Sequence, residues 1–416
     1  MKPRMSVYIE TYGCTASQAR SEIMEGALAA NQMAMVKHPA RADVILLNTC
    51  IVKTPTENRI RDRIKSLVKK YPHKTLVIAG CATDVGFFRN IAPNALFLSS
   101  HKPEEVTKLL LKKTNEKTGK MRKNPLVGIT EISSGCLGKC SYCIVRLARG
   151  ELKSKSPDEI IAEVERALAD GCMEIWLTSQ DNSCYGFDIE SNLAGLLEKI
   201  AKLDGKFRIR VGMMNPSHAK PILKRLLKAY ASKKVYKFVH IPVQSGSDKI
   251  LKSMGRGYSA GEFEKLVDAF RHAFPLVTLS TDVIVGFPGE TGGNFEKTLK
   301  LIERIKPDIV NVSKFGARPG TIAARMRQLD NRIIKERSAA MASLVRRIGA
   351  EANKKWLGRT CEIFVTEKGR DKKQFTGRNE SYKPVIVEGK RLLGKVLKVK
   401  ITKCGQTFLA AKINQS

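Results

Sequence analysis

The sequence has no apolar run long enough to cross a membrane, and its opening stretch, MKPRMSVYIE, lacks the apolar segment of a secretory signal. It is also poor in negative charge, because 40 Asp and Glu residues stand against 74 Lys and Arg residues. The first absence predicts a cytoplasmic protein with no membrane partner, in which thiols stay reduced. The second predicts a polyanionic partner, above all nucleic acid, although a basic enzyme with solvated lysines has the same composition.

A chain of 416 residues is too long for one hydrophobic core, so we expect two or three domains. Residues 1–111 alternate strand and helix three times, with the strands SVYIE, VILLN and TLVIAG. This alternation predicts a small parallel α/β sheet. Residues 112–125 follow with six basic residues, one acidic residue and no apolar period, which is typical of a basic linker.

Residues 126–355 continue the alternation with six strand candidates: VGITEI, MEIWLTS, FRIRVGM, KFVHIPV, TLSTDVIVG and DIVNVSKF. Six βα units predict a partial (βα)6 barrel, whose active residues lie at the carboxyl ends of the strands. Residues 356–416 hold five short strand candidates and 14 basic against five acidic residues. We predict a small antiparallel β-barrel there, with Phe375, Tyr382 and Phe408 available for stacking on RNA bases; the alternative is a basic cap on the larger barrel.

Three of the ten cysteines fall in SSGCLGKCSYCIVRLARG, at Cys136, Cys140 and Cys143. We call these three the loop trio. A zinc site needs a fourth ligand, and no His lies nearby in sequence. A [4Fe-4S] cluster held by three thiolates instead leaves one iron free for a small molecule. Gly135 and Gly138 permit the tight backbone turns of such a loop, which favours the cluster over a structural zinc site.

Cys14, Cys50 and Cys81 each follow one of the first three strands, and we call them the edge trio. The carboxyl ends of parallel strands meet at one edge, so these thiols should converge and could hold a second cluster. The alternative is three buried apolar cysteines that happen to end strands. The other four are predicted to be structural: Cys172, Cys184, Cys361 and Cys404. Of these, Cys184, in a loop after a barrel strand, is the first that we would add to the site.

The spacing Cx3Cx2C after the first strand of a βα barrel resembles the radical S-adenosylmethionine (SAM) superfamily. The whole chain resembles the methylthiotransferase family within it, and the C-terminal part is similar to a TRAM domain. The stretches that carry the wider resemblance include TYGC, LLNTCIVKTPTENR, IAGC, HIPVQSGSD and TDVIVGFPGET. NTCIVKTPTEN, EIWLTSQD and GMMNP are most similar to the archaeal and eukaryotic branch that acts on N6-threonylcarbamoyladenosine in tRNA.

This resemblance implies addition of a methylthio group to C2 of the modified adenosine at position 37, just 3′ of the anticodon. It implies that the loop trio binds a [4Fe-4S] cluster whose open iron chelates SAM, and that the edge trio binds an auxiliary [4Fe-4S] cluster. Two SAM molecules are used: one donates methyl to a sulfur at the auxiliary cluster, and the other yields the radical that abstracts the ring hydrogen. The implied partners are the tRNA anticodon stem-loop, an external electron donor and a sulfur source.

The resemblance also places SAM-binding residues at strand ends. Residues 178–181 follow the second barrel strand, where related enzymes hold the methionyl amino group, and GFPGE follows the fifth, where backbone can line the adenine. GFPGE also suits a plain strand-to-helix turn, and Gln244 and Arg318 suit ordinary loop polarity. The predicted cofactor-binding residues are Thr178, Ser179, Gln180, Asp181, Gln244, Gly286, Glu290 and Arg318.

Two residues depart from the family pattern. After the first cysteine the family usually has Asn at the third position and Asp at the sixth, where this chain has Ser17 and Arg20. Neither position binds the cluster in the family, so we expect the cluster to form, while the basic Arg20 is expected to alter what docks beside it.

Two alternative functions stay open at this point. One is a methylthiotransferase acting on isopentenyl-adenosine in tRNA or on an aspartate of a ribosomal protein. The other is a zinc-stabilised RNA-binding protein without catalytic activity.

Overall fold

The computed structural model describes residues 5–83, 86–99, 102–111 and 120–414. Most of the predicted basic linker, residues 112–119, lies outside this range. Residues 120–125 lie within it, and there Lys120 forms an ion pair with Glu163 of the central domain. No helix in the described ranges is long and apolar enough to cross a membrane.

The N-terminal domain is a five-stranded parallel sheet in the order β2-β1-β3-β4-β5. Its elements are β1 (Ser6–Thr11), α1 (Thr15–Ala30), β2 (Ala34–Met35), β3 (Val44–Thr49), α2 (Thr54–Lys70), β4 (Thr75–Gly80), β5 (Leu96–Leu98) and α3 (Val106–Leu110). The three predicted strands are β1, β3 and β4, the three central strands, and the structure adds short strands at both edges. Apolar residues of α1 and α2 cover opposite faces of the sheet, so β3 is buried throughout.

The central domain contains the six predicted strands in one parallel series. The six are β6 (Val127–Glu131), β9 (Glu174–Thr178), β10 (Arg208–Val211), β11 (Phe238–His240), β12 (Thr278–Val285) and β13 (Ile309–Lys314). Two short strands, β7 (Ser133–Ser134) and β8 (Lys153–Ser154), lie between the first two of them. Its helices are α4 (Val145–Arg149), α5 (Pro157–Ala169), α6 (Leu193–Ala201), α7 (Pro216–Ala219), α8 (Leu223–Tyr230), α9 (Asp248–Ser253), α10 (Ala260–Ala273), α11 (Gly292–Ile305) and α12 (Asn331–Lys354).

Two three-stranded sheets, β6-β9-β10 and β11-β12-β13, are joined by single parallel bridges such as the one between Met213 and His240. The result is the arc of six parallel strands expected of a partial (βα)6 barrel. Helices pack on its outer face over the largest apolar core of the molecule. Local sequence supports these helices: Ser156 and Glu159 form a reciprocal capping box at the start of α5, with Pro157 at its first position.

The C-terminal domain is a closed five-stranded barrel in the order β14-β15-β16-β18-β17. Its strands are β14 (Thr360–Lys368), β15 (Gln374–Arg378), β16 (Pro384–Glu388), β17 (Val396–Cys404) and β18 (Leu409–Ile413). Four of the neighbouring pairs are antiparallel, as predicted, and β16 closes the barrel on β18 in parallel.

The structure corrects two of the three aromatic residues predicted for RNA stacking. Phe375 points into the barrel core, because it alternates with the outward residues of β15. Tyr382 packs against Tyr236 and Phe238 of the central domain, with ring centroids 5.0 and 5.1 Å away. Only Phe408, which is 39% exposed, is left on the surface for a base.

Candidate active site

The loop trio lies between β7 and α4, on a loop whose geometry requires glycine at its start. Gly135 has φ +79°, and a Cβ there would lie 1.8 Å from the carbonyl oxygen of Glu151. The next residue, Cys136, donates its N–H to the carbonyl of Gly150 at 3.4 Å, which closes the loop on itself. No larger residue fits at position 135 without moving this backbone.

Two sulfurs of the loop trio face a space that a second glycine keeps open. A Cβ on Gly138 would lie 3.3 Å from the Sγ of Cys136 and 3.6 Å from the Sγ of Cys140. The buried Arg256 donates from Nη1 to the Sγ of Cys140 at 3.1 Å, and from Nε to the hydroxyl of Tyr258 at 3.0 Å. A guanidinium at a sulfur suits a thiolate ligand, because a charged acceptor forms the stronger hydrogen bond.

Burial raises the pKa of two thiols of this trio. It raises the pKa of Cys136 to about 11, with the charge of Asp181 acting in the same direction. It raises the pKa of Cys143 to about 12, helped by the neighbouring Cys140. These thiols therefore keep their protons until a metal replaces them.

The segment after β9 combines a buried carboxylate with polar atoms that have no partner. Asp181 is 1% exposed and accepts a hydrogen bond from Nδ1 of His218 at 2.6 Å. Burial opposes its ionisation, but this contact and further donors hold the pKa of Asp181 below its usual value. Thr178 ends the strand and is buried. Within the described ranges, the Oγ of Ser179 and the Oε1 of Gln180 are buried without a hydrogen-bond partner.

GFPGE forms the tight turn after β12. Gly286 has φ +79°, and a Cβ there would lie 2.5 Å from Cγ1 of Ile334. Its N–H donates to Oε2 of Glu290 at 2.9 Å, and Arg337 donates to the same oxygen at 2.6 Å. Burial raises the pKa of Glu290, although both hydrogen bonds act to lower it. The buried Glu290 side chain therefore stabilises the turn through these hydrogen bonds.

Gln244 follows β11 in a left-handed conformation, with φ +69°. Its N–H donates to the carbonyl of Asp282 at 2.8 Å, and its own carbonyl accepts from Ile284 at 2.9 Å. A non-glycine residue held at positive φ is strained, and such residues cluster at functional sites. Its backbone is therefore fixed at the carboxyl end of the strand.

The edge trio lies at the carboxyl ends of three neighbouring parallel strands, β1, β3 and β4. Cys50 follows β3 and Cys81 follows β4, and both thiols are buried, whereas Cys14 at the start of α1 is exposed. Gly13 has φ +118°, and a Cβ there would lie 3.3 Å from the Sγ of Cys50, so the turn after β1 brings Cys14 to the same place. Burial raises the pKa of Cys50.

The two residues that depart from the family pattern both take part in the site. Ser17 lies beside the edge trio, with its Oγ 3.8 Å from the Sγ of Cys14. Arg20 is buried and binds both carboxylate oxygens of Glu131, at 2.9 and 2.6 Å. Glu131 ends β6, and Arg20 also reaches the hydroxyl of Ser134 at 3.4 Å, two residues before the loop trio. Arg20 therefore connects the helix that follows Cys14 to the segment that precedes Cys136.

Two more buried arginines connect the domains at this place. Arg318 donates to the backbone carbonyl of Ile51 at 2.6 Å and forms an ion pair with Glu57 of α2. Arg149, the last residue of α4, donates from Nη2 to the Sγ of Cys81 at 3.1 Å. Arg318 was predicted to bind SAM; here its guanidinium contacts the N-terminal domain next to the edge trio.

Comparison with known proteins follows this division of the chain. Residues 6–87 match the uncharacterized protein family UPF0004, residues 130–302 the Radical SAM superfamily, and residues 354–413 the TRAM domain. A probable threonylcarbamoyladenosine tRNA methylthiotransferase of Pyrococcus horikoshii is 38% identical over 98% of this chain and 99% of its own. The chain belongs to this family of methylthiotransferases. The human threonylcarbamoyladenosine tRNA methylthiotransferase is 33% identical, over 97% of this chain and 73% of its own.

Among solved structures, the radical SAM methyltransferase TsrM of Kitasatospora setae resembles this chain with a TM-score of 0.58. The match covers 77% of both chains at 13% identity, and that structure contains cobalamin and a [4Fe-4S] cluster. At this identity the likeness supports the radical SAM fold alone.

The residues present fit the groups that this family implies. Each trio has a glycine that leaves space at its sulfurs and an arginine that donates to one of them. Sulfurs around one zinc ion lie about 3.8 Å apart, since Zn–S bonds are about 2.3 Å. Neither trio is that compact: among the described residues, the one group of three such ligands within 4.8 Å of one another is Asp181, Cys184 and His218. The unpartnered atoms of Ser179 and Gln180 fit a polar cofactor such as SAM.

Sequence reasoning missed four residues of this site. Cys184 is fully buried and donates to the carbonyl of Asp181 at 3.2 Å, so it lies inside the site rather than beyond it. His218 had no signal in the sequence, because its partner Asp181 lies 37 residues away. Arg149 and Arg256 likewise contact cysteines 68 and 116 residues away. Two signals were available: the place of Cys184 in the loop after a barrel strand, and the position of Arg149 directly after the cysteine loop.

Proposed function

We propose that this protein adds a methylthio group to C2 of N6-threonylcarbamoyladenosine at position 37 of tRNA, using SAM and two [4Fe-4S] clusters. The observation that carries the proposal is the pairing of two cysteine trios, on two different domains, across buried contacts of Arg20 and Arg149. A ring C–H bond is too strong for side-chain acid or base chemistry, so the clusters and SAM would supply the radical and the sulfur.

The side chains would bind, orient and shield these groups. Cys136, Cys140 and Cys143 would ligate the radical cluster, and Arg256 would donate to the thiolate of Cys140. Residues 178–181 would bind the methionyl part of SAM, with the free atoms of Ser179 and Gln180 as donors or acceptors. Gln244 and the GFPGE turn are proposed to contribute backbone groups at the same strand ends.

On the second domain, Cys14, Cys50 and Cys81 would ligate the auxiliary cluster. Arg318 would act here by fastening α2 beside Cys50 rather than by contacting SAM. An external electron donor and a sulfur source complete the reaction, and the cytoplasmic location remains a prediction from the sequence.

The C-terminal barrel offers the surface for RNA. Lys400 of β17 and Lys412 of β18 are exposed cross-strand neighbours. Lys403 and Phe408 line the same groove as Lys412. Basic side chains beside an exposed ring are the usual means of binding phosphates and a stacked base. We propose that this face binds the tRNA stem-loop.

The alternatives have less support. The relatives named above carry tRNA methylthiotransferase names, which disfavours the zinc-stabilised RNA-binding protein and the ribosomal-protein substrate. The same names favour the threonylcarbamoyl nucleoside over isopentenyl-adenosine, a substrate of the same chemistry.

The deciding experiment is mass spectrometry of nucleosides from tRNA of cells with and without this gene. We expect 2-methylthio-N6-threonylcarbamoyladenosine to disappear on deletion and return when the gene is restored from a plasmid, but not when a Cys140→Ala copy is used. If the methylthio derivative of isopentenyl-adenosine disappears instead, isopentenyl-adenosine is the substrate. Anaerobically purified protein should contain about eight irons per chain, as two [4Fe-4S] clusters require; stoichiometric zinc without iron would contradict the proposal.

A further inference from the structure

Arg149 belongs to one domain and contacts a cysteine of the other. It is the last residue of α4, six residues after Cys143, and is 4% exposed. Its Nη2 donates to the Sγ of Cys81 at 3.1 Å. Cys81 follows β4 of the N-terminal domain, so a side chain from the central domain completes the surroundings of the edge trio.

The loop trio fixes the backbone that carries Arg149. Ala148 donates to the carbonyl of Ile144, which directly follows Cys143, and the carbonyl of Gly150 accepts the N–H of Cys136. The short helix therefore begins next to one ligand of the loop trio, and the residue after its end is hydrogen-bonded to another. Its guanidinium reaches Cys81 from a backbone that the loop sets in place.

The chemistry of the contact suits a loaded cluster. A thiol sulfur is a weak acceptor, whereas a thiolate is a charged one that accepts a stronger hydrogen bond from a guanidinium. The loop trio has a matching contact, since Arg256 donates to the Sγ of Cys140 at the same 3.1 Å. Each trio thus has one buried arginine on one of its sulfurs.

We propose that Arg149 is a positioning residue of the auxiliary cluster, whose hydrogen bond to the Cys81 thiolate raises the reduction potential of that cluster. This inference rests on the proposed function, because it takes the edge trio as cluster ligands. The physical reason is that hydrogen bonds and positive charge at a ligand sulfur stabilise the reduced, more negative form of an iron-sulfur cluster. An arginine supplied by the neighbouring domain would thereby couple the auxiliary site to the fold of the radical site.

The test uses the full chain with Cys136→Ala, Cys140→Ala and Cys143→Ala, so that only the auxiliary cluster can load. Arg149→Gln and Arg149→Lys are added to this parent, and each protein is reconstituted anaerobically. Iron per chain is counted and the midpoint potential is measured by an EPR-monitored redox titration. Arg146→Gln is the matched control, because Arg146 lies on the same helix but is partly exposed and pairs with Glu151.

We expect about four irons per chain in the parent. Arg149→Gln should lower the midpoint potential. The potential of Arg149→Lys should lie between those of Arg149→Gln and the parent, because lysine keeps the charge but not the forked donors of arginine. Arg146→Gln should have the same potential as the parent. If Arg149→Gln fails to bind iron while the control is fully loaded, the result supports the role of Arg149 in positioning the cluster. The midpoint potential is then measured on Arg149→Lys.

Two other outcomes separate the two proposals. Midpoints equal to that of the parent in the loaded Arg149 variants would overturn the role of Arg149 and leave the proposed function intact. A parent that binds no iron would instead remove the auxiliary cluster from the proposed function.

Discussion

The two cysteine trios are built in opposite ways. The loop trio comes from eight consecutive positions, on one loop that two glycines shape. The edge trio comes from three loops of a parallel sheet, and its surroundings include Arg149 and Arg318 of another domain. A local site depends mainly on its own loop, whereas an assembled site depends on tertiary packing. The two sites should therefore fail under different perturbations.

The largest effect should come from the loop trio. Cys140→Ala removes the ligand that Arg256 contacts, so we expect complete loss of both 5′-deoxyadenosine formation and thiolated RNA. Chromatography of the SAM products measures the first, and nucleoside mass spectrometry the second. The control is Cys172→Ala, a buried cysteine that contacts the carbonyl of Pro125 and should keep both activities. Retained SAM cleavage in Cys140→Ala would mean that this trio does not bind the radical cluster.

The edge trio should fail more selectively. Cys14→Ala combined with Cys50→Ala is expected to abolish the thiolated product while SAM cleavage stays within about twofold, since the radical cluster keeps its own ligands. Iron per chain should fall from about eight to about four. Thiolated product from this double variant would contradict the role given to the edge trio.

A third test weakens the packing that the edge trio needs. Arg318→Met leaves Glu57 buried without its main countercharge, which should lower the free energy of unfolding by about 3 kcal/mol. This value is at the low end for a broken buried ion pair, because Arg61 still contacts Glu57. We expect a lower unfolding midpoint and less auxiliary iron, with radical-cluster iron unchanged. Arg347→Met breaks an exposed pair with Glu303 and should cost less than about 1 kcal/mol. Equal effects of both substitutions would refute this dependence.

The smallest effect should leave both trios untouched. Lys400→Glu with Lys412→Glu should weaken tRNA binding about tenfold and lower the slope of log affinity against log salt by about two, because two phosphate contacts are lost. Lys224→Glu with Arg225→Glu makes the same change of charge on exposed positions of α8 and should leave the slope unchanged. Filter binding at several salt concentrations distinguishes them, and equal slopes would place the RNA elsewhere.

The alternation of strand and helix predicts the fold of the first two regions, and the succession of five short strands predicts that of the third. The strands β1, β3 and β4, the six strands of the arc and the five of the small barrel each combine an apolar run with turn residues. β2 and β5 were missed because two and three residues are too few for a pattern. Phe375 could have been predicted inside the barrel from its place in an alternating strand, but Tyr382 could not, since its contacts belong to another domain.

For the site, the sequence identified sulfurs but not their neighbours. Cysteine spacing and strand ends are properties of the chain itself, so both trios could be proposed from it. The arginines that contact Cys81 and Cys140 are two of many basic residues, and apart from the position of Arg149 directly after the cysteine loop, nothing local distinguishes them from solvated ones. Arg20 shows the same limit, because the role of this departure from the family pattern depends on Glu131, 111 residues away.

The buried contacts of Arg20, Arg149 and Arg318 have a consequence for the nucleic acid. They join the N-terminal domain to the central one, so these hydrogen bonds would have to break for the two domains to move apart. Under the proposed function, a site held in this way would not close around a base that stays stacked in an anticodon loop. The adenosine would therefore have to leave its stack to reach the clusters, and the cost of that unstacking, about a few kcal/mol, would fall on the RNA. A loop that already holds this nucleotide extruded should be modified fastest.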